Sequence, residues 1–254
     1  MRAWEINGDN AKQRTPEITK SVRVESQHGV FHLPDDNHGD PVLVTMKNSG
    51  LFEPDVILEC LKHIRPGTAV IDVGCNWGQM TIQFSRAVGP TGVVHSIEAS
   101  SYVADYVRRS LQDNWLAKNV TLHHAAAWNQ SNQTERMYIP NGEGWAHAGL
   151  GLAAHAGPRD WEEVQTLALD DIPLTLPVSL IKIDVQGADW FALDGAKAIM
   201  QRDGPTVIFE YESVYDAIFE KNWGDYQRLI DSVNYEIIGS VENNQHDFIC
   251  RPRK

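Results

Sequence analysis

The chain has 254 residues, 42% of them hydrophobic, and carries 34 acidic against 22 basic side chains for a formal charge of −12. That length suits one large α/β domain with additions and requires no second globular domain. The acidity argues against a phosphate backbone as the main partner, since nonspecific nucleic-acid affinity comes from basic patches, and no apolar run approaches the roughly 20 residues of a membrane span.

The first 20 residues are polar, without the apolar core of a signal peptide. Cys60, Cys75 and Cys250 lie far apart, with neither pairing nor zinc-ligand spacing, and read as reduced thiols of a cytoplasmic protein. Val22 to Val24 and Val30 to Leu33 flank a glycine turn and read as a hairpin, followed by a loop from Asp35 to Pro41. Pro54 suits the first position of a helix that places Ile57, Cys60, Leu61 and Ile64 on one face and ends at Pro66 and Gly67. Residues 1–65 are therefore expected to cap a larger domain spanning 66–254.

From Ala69 onward strands and helices alternate, the pattern of a mostly parallel sheet. The run Val70, Ile71 and Val73 is a strand buried on both faces. It carries Asp72 and leads into Gly74-Cys-Asn76-Trp-Gly78, and then into a helix with Met80, Phe84 and Val88 at helical spacing. A pyrophosphate-binding turn wants G-x-G-x-x-G. Here the spacing is G-x-x-x-G behind a carboxylate, which repels pyrophosphate and suits a ligand with an ammonium or sulfonium; S-adenosylmethionine fits. The strand up to Ile97 ends at Glu98, where a doubly wound sheet accepts ribose hydroxyls. The bland alternative is an acid offsetting the dipole of the helix from Ser100 to Asp113.

Further strands are read at Val120 to His124, Leu180 to Asp184, Thr206 to Tyr211, Tyr235 to Ser240 and Asp247 to Arg251, the last two as an antiparallel hairpin. Between Val120 and Leu180 lies an insertion with a strand from Glu135 to Pro140 and a glycine-rich loop, 141–158, holding Trp145, His147 and His155. Such loops are often lids. The expected fold is α/β: a class I methyltransferase (Rossmann-like), doubly wound, mostly parallel seven-stranded sheet with a C-terminal antiparallel hairpin and an N-terminal cap.

Asp184 and Glu210 end neighbouring strands at the edge where open α/β sheets bind ligands and are the first candidates for catalysis. Asp184 could serve as base, metal ligand or acceptor anchor, or merely cap the helix beginning near Ala188. Glu212 shares the strand face of Glu210, and two carboxylates from adjacent strand ends, as with Asp184 and Glu210, could hold a divalent cation or form only an acidic rim. His147 and His155 are alternative bases. His123 and His124 point to opposite faces of a strand and read as structural. Trp128 could stack on adenine, though a buried aromatic is the commoner case.

In order, Ile71-Asp-Val-Gly-Cys-Asn-Trp-Gly78, Ile97-Glu98, Asn119 to Ala126, Leu167 to Asp171, Ile181-Lys-Ile-Asp-Val-Gln-Gly187 and Val207 to Glu210 resemble the FkbM family of S-adenosylmethionine-dependent methyltransferases. The resemblance implies O-methylation of a hydroxyl on a sugar, glycan or secondary metabolite. It would place Asp72, Gly74, Cys75, Asn76 and Gly78 at the methionine part of the cofactor, Glu98 and Ala99 at the ribose, and Ala125 to Trp128, with Ala126 and Ala127, along the adenine edge; Asp184 borders the same ligand. Cys75 replaces the family's usual alanine, and Gln186 its usual glutamate, which removes a charge beside the presumed reaction centre. A degenerate binding protein of the same fold and a nucleic-acid methyltransferase are the rival readings; the latter lacks both a D/N-P-P-Y motif and a basic face.

Overall fold

The computed structural model describes residues 13, 20–36, 40–139, 160–242 and 246–254. The hairpin is present: β1 (Ser21–Ser26) and β2 (Gly29–Pro34) pair antiparallel with Ser26 opposite Gly29. Where the expected loop ends at Pro41, a helix that was not read from the sequence begins, α1 (Pro41–Ser49). The Asp40 carboxylate accepts from the Val42 and Leu43 amides, Pro41 needs no donor partner, and Gly50 ends the helix at φ 81°. Helix α2 (Pro54–His63) buries Val56, Ile57 and Cys60.

Seven strands form the main sheet: β3 (Ala69–Val73), β4 (Val93–Glu98), β5 (Val120–His124), β9 (Val178–Ile183), β10 (Thr206–Glu210), β11 (Tyr235–Ser240) and β12 (Asp247–Pro252). Their order is β11-β12-β10-β9-β3-β4-β5, and β12 runs against both neighbours while the other pairs are parallel. The seven-stranded, mostly parallel α/β fold with its closing hairpin is thus as expected.

Strand alternation sorts the core into two layers. Val70, Leu180 and Ile208 face α2, α3 (Gln79–Val88) and α4 (Ser101–Asp113). Ile71, Ile181 and Val207 face α5 (Asp189–Asp194), α6 (Lys197–Asp203) and, beyond the short α7 (Asp216–Phe219), α8 (Trp223–Ser232). The hairpin hangs on the first layer: the His32 amide donates to Ser110 Oγ at 2.8 Å and the Val30 amide to Asn114 Oδ1 at 3.1 Å.

The insertion builds a small second sheet of β6 (Ala126–Ala127), β8 (Trp161–Leu167) and β7 (Thr134–Tyr138), in that order. Strand β7 begins one residue earlier than read and ends at Tyr138. Its partner β8 was not read from the sequence, because its buried positions include Glu162 and Thr166, which break the apolar alternation. Glu162 is satisfied there by the amide and hydroxyl of Ser101, pinning the start of α4. Trp145, His147, His155 and the 141–158 loop lie outside the described residues.

Candidate active site

The carboxyl ends of β3, β4, β9 and β10 open onto one cavity of about 360 Å³, within the size range of small-molecule sites. The turn after β3 makes half of it. Gly74, Asn76 and Gly78 all take left-handed backbone, at φ 77°, 48° and 81°, so the chain reverses tightly and the Gly74 and Cys75 amides both donate to the Ile97 carbonyl at 2.9 and 3.0 Å. Glycine is required at position 74: a Cβ there would sit 1.9 Å from the Asp184 carbonyl oxygen.

Asp72, Gly74, Cys75, Asn76, Glu98, Ala99, Ala126, Ala127, Asp184 and Glu210 all line this cavity, as do Gln186 and Glu212. Gly78 does not. It sits behind the wall at the start of α3, where a Cβ would meet Val107 at 3.2 Å, so its part is to shape the turn. Trp128 is also off the wall, stacked on Phe191 with ring centroids 3.9 Å apart, which makes it core. His123 stacks on His95, and His124 Nε2 bonds the Ala99 carbonyl.

Glu98 has structural work as well. Its carboxylate accepts from the Asn76 amide at 2.9 Å and the Ser100 amide at 2.8 Å, tying the glycine turn to the end of β4. A carboxylate offers about four lone-pair positions, so two are left for a ligand. Burial raises this carboxyl to about 7, against the pull of those amides. Burial likewise raises Asp72 to about 6, although Thr81 Oγ1 donates to it.

Signs follow directly. A carboxyl held above its unfolded value binds its proton more tightly when folded, so its stabilisation is complete below the unfolded value and is lost as pH rises through the folded one. The ligand-free protein is therefore expected to melt at a lower temperature at pH 8 than at pH 5.5, with the loss centred between about 5 and 7 from Asp72 and Glu98. Thermal melts across that range check it; a melting temperature that rises steadily with pH would contradict these environments.

The other half of the cavity is acidic around a buried cation that the sequence reading passed over. Lys182, 1% exposed, puts its Nζ 2.6 Å from Asp247 Oδ1 and 3.6 Å from Asp184 Oδ2. Glu210 is pushed up to about 11, chiefly by the neighbouring Asp184 charge and then by burial, and its Oε2 is buried without a hydrogen-bond partner. Both effects favour its protonated form, which can donate a hydrogen bond. Strand β10 stops at Glu210, so Glu212 is not its strand-face neighbour; it precedes a short 3-10 turn, Ser213–Tyr215, whose Tyr215 hydroxyl donates to Gln186 Oε1 at 2.8 Å.

Asp184 is not the cap of the following helix. The loop is held instead by Asp189, whose carboxylate accepts from the Val185 and Gly187 amides at 3.3 and 3.1 Å, and no side chain caps α5. A second residue missed from the sequence, Glu53, lines the same cavity. Among the described residues no group of three or more His, Cys, Asp or Glu side chains is arranged to hold a metal ion, so the divalent cation considered for Asp184 and Glu210 gains no support.

Residues 63–247 match the family described as the Methyltransferase FkbM domain. The chain belongs to the FkbM methyltransferase family. A likeness to the crystal structure of a putative rRNA-methylase from Clostridium thermocellum, at 13% identity and TM-score 0.51 over 78% of this chain and 94% of that one, shows the shared class I methyltransferase fold. The FkbM methyltransferase of Methylobacillus flagellatus KT aligns at 14% identity and TM-score 0.48, over 85% of this chain and 55% of that one. A curated relative, the probable cobalt-precorrin-6B C(15)-methyltransferase (decarboxylating) of Thermoplasma acidophilum, is 26% identical over 87 residues, 34% of this chain and 43% of its own length. The FkbM domain begins after α1 and most of α2, yet Pro41, Val42, Met46, Phe52 and Glu53 from those preceding segments also wall the cavity.

Proposed function

We propose that this protein transfers the methyl group of S-adenosylmethionine to a hydroxyl of a sugar, glycan or secondary metabolite. The observation that carries the reading is a single cavity whose two halves differ in chemistry: one formed by the glycine turn, Glu98 and Ala125 to Ala127, the other by Asp184, Glu210 and Glu212. The first half suits the cofactor. Asn76 Oδ1 is buried there without a partner, an acceptor awaiting a donor such as the cofactor's ammonium, and Asp72 places a carboxylate near the same end. Glu98 would receive the ribose hydroxyls on its two remaining lone pairs, and Ala126 and Ala127 would flank adenine. When bound, the cofactor supplies an electrophilic methyl.

The second half would orient the acceptor. Displacement needs sulfur, methyl and oxygen nearly collinear, and such positioning can supply roughly 7 to 11 kcal/mol of the barrier. Asp184, paired with the Lys182 ammonium 3.6 Å away, would accept from a hydroxyl next to the reacting one, while Glu210 in its protonated form would donate to a second acceptor oxygen. Vicinal oxygens of that kind are common on sugars. The net charge of −12 supports a small or neutral acceptor rather than RNA. Three buried free cysteines fit the reducing conditions of a cytoplasm, and no helix among the described residues is long and apolar enough to cross a membrane.

Calorimetric titration with S-adenosylmethionine, followed by transfer of its labelled methyl to a panel of methyl glycosides, tests the reading. Binding without transfer to any hydroxyl would favour the degenerate binder. Glu98→Gln is expected to weaken S-adenosylmethionine roughly ten- to hundredfold, the loss of one charge-assisted hydrogen bond at about 1.5 to 3 kcal/mol. Glutamine is a milder probe than alanine, because it releases one of the Asn76 and Ser100 amides, which donate to different carboxylate oxygens, where alanine releases both. Affinity unchanged within about twofold would remove Glu98 from the ribose site.

A further inference from the structure

Four carboxyls meet the acceptor half of the cavity: Asp184 after β9, Glu210 at the end of β10, Glu212 two residues beyond it, and Glu53 between α1 and α2. Two of them are poorly suited to removing a proton. Glu210 is pushed toward its protonated form by the Asp184 charge and by burial. Asp184 is already engaged in an ion pair, with the Lys182 ammonium 3.6 Å away.

Glu53 differs from both. Its backbone is left-handed, φ 50° and ψ 57°, a conformation costly for a residue with a Cβ and more so immediately before a proline, Pro54. It occupies the position before α2 at which an acidic side chain ordinarily caps a helix, yet it makes no such hydrogen bond. The strain is held from the preceding residue, since Gln79 Oε1 accepts the Phe52 amide at 2.7 Å, anchoring the loop to the helix that follows the glycine turn. Strain kept in place in this way is typical of functional positions. The carboxyl feels Asp184 and Asp247, which raise it, and Lys182, which lowers it; burial is the largest influence, and it rests at about 7, where a general base works best near neutral pH.

We propose that Glu53, which lies ahead of the segment matching the FkbM family, is the general base for the reacting hydroxyl, with Asp184 holding the acceptor through a neighbouring hydroxyl. This rests on the methyltransferase reading above. The hydroxyl oxygen forms its bond to the methyl carbon as the sulfur–methyl bond breaks. That bonding pair returns to sulfur as a neutral thioether, and the hydroxyl proton passes to the Glu53 carboxylate.

The test uses the full chain with S-adenosylmethionine and methyl glycosides of glucose, galactose and rhamnose, over a range of pH. E53Q should lower kcat by about 10² to 10⁴, leave KM within about threefold, and abolish the fall in rate on the acid side of neutrality; E53D, which keeps the charge, should recover part of the rate and that acid limb. D184N should instead raise KM and retain the limb. An E53Q enzyme within about threefold of wild type, or an acid limb lost in D184N and kept in E53Q, overturns the proposal and makes Asp184 the base.

A wild type that binds the cofactor but methylates no glycoside overturns the glycoside reading alone. In that event a ¹³C carboxyl titration of the protein saturated with S-adenosylhomocysteine decides for Glu53, its signal assigned by its absence in E53Q. A midpoint within about one unit of 7 supports the base, and one in the ordinary glutamate range overturns it. No binding of S-adenosylmethionine by the wild type overturns both.

Discussion

Lys182→Met should destabilise the folded protein by about 3 to 5 kcal/mol, the usual cost of leaving one member of a buried ion pair alone. Lys182 and Asp247 are 1% and 3% exposed and 2.6 Å apart, so neither can turn to water when the other is removed. Methionine fills similar volume, which keeps the effect electrostatic. Urea denaturation at pH 7.5 measures it, and Asp247→Asn with the double variant completes the cycle. If the double variant is no better than the sum of the singles, the coupling is absent; a loss under about 1 kcal/mol for Lys182→Met would mean that the pair is solvated.

Gly74→Ala should cost about 2 to 5 kcal/mol, combining left-handed backbone with overpacking, and remove measurable cofactor binding. The added methyl lies 1.9 Å from a backbone oxygen, that of Asp184, so no side chain can swing aside. The ends of β3 and β9 must part, which breaks the bond from the Asp184 amide to the Val73 carbonyl and moves both halves of the cavity at once. Gly89→Ala is the control. It too has positive φ, 70°, with ψ −172°, but nothing lies within 4 Å, and it should cost about 1 to 3 kcal/mol while sparing binding. Equal effects of the two would show that the contact with Asp184 is immaterial.

The seven sheet strands could be read from the sequence because each is a short apolar run punctuated by glycine, proline or an acid, and parallel strands buried on both faces leave that trace. Strand β8 left none, because Glu162 and Thr166 point inward and are satisfied by partners remote in the chain. Helix α1 had its signals in Asp40, Pro41 and Gly50, of which Asp40 and Pro41 were read only as the end of a loop. The glycine turn and the ends of β3 and β4 are local in sequence, so Asp72, Gly74, Cys75, Asn76, Glu98 and Ala99, which line the cavity, were legible there, whereas Trp77, Gln79 and Val103 beside them were not. The acceptor half is assembled from far apart. Lys182 looks like a polar interruption of an apolar strand until β12 brings Asp247 beside it, and nothing in the composition around Glu53 announces a left-handed backbone.

The counterion of Lys182 comes from β12, 65 residues further along the chain. At about 5 to 20 residues per second, a ribosome takes about 3 to 13 s to cover that distance. Through that interval Asp184, two residues along and 3.6 Å away in the folded protein, is the carboxylate already made beside Lys182. The closer partner arrives only with β12, so the strand that pairs with β10 also completes the charges around the pocket.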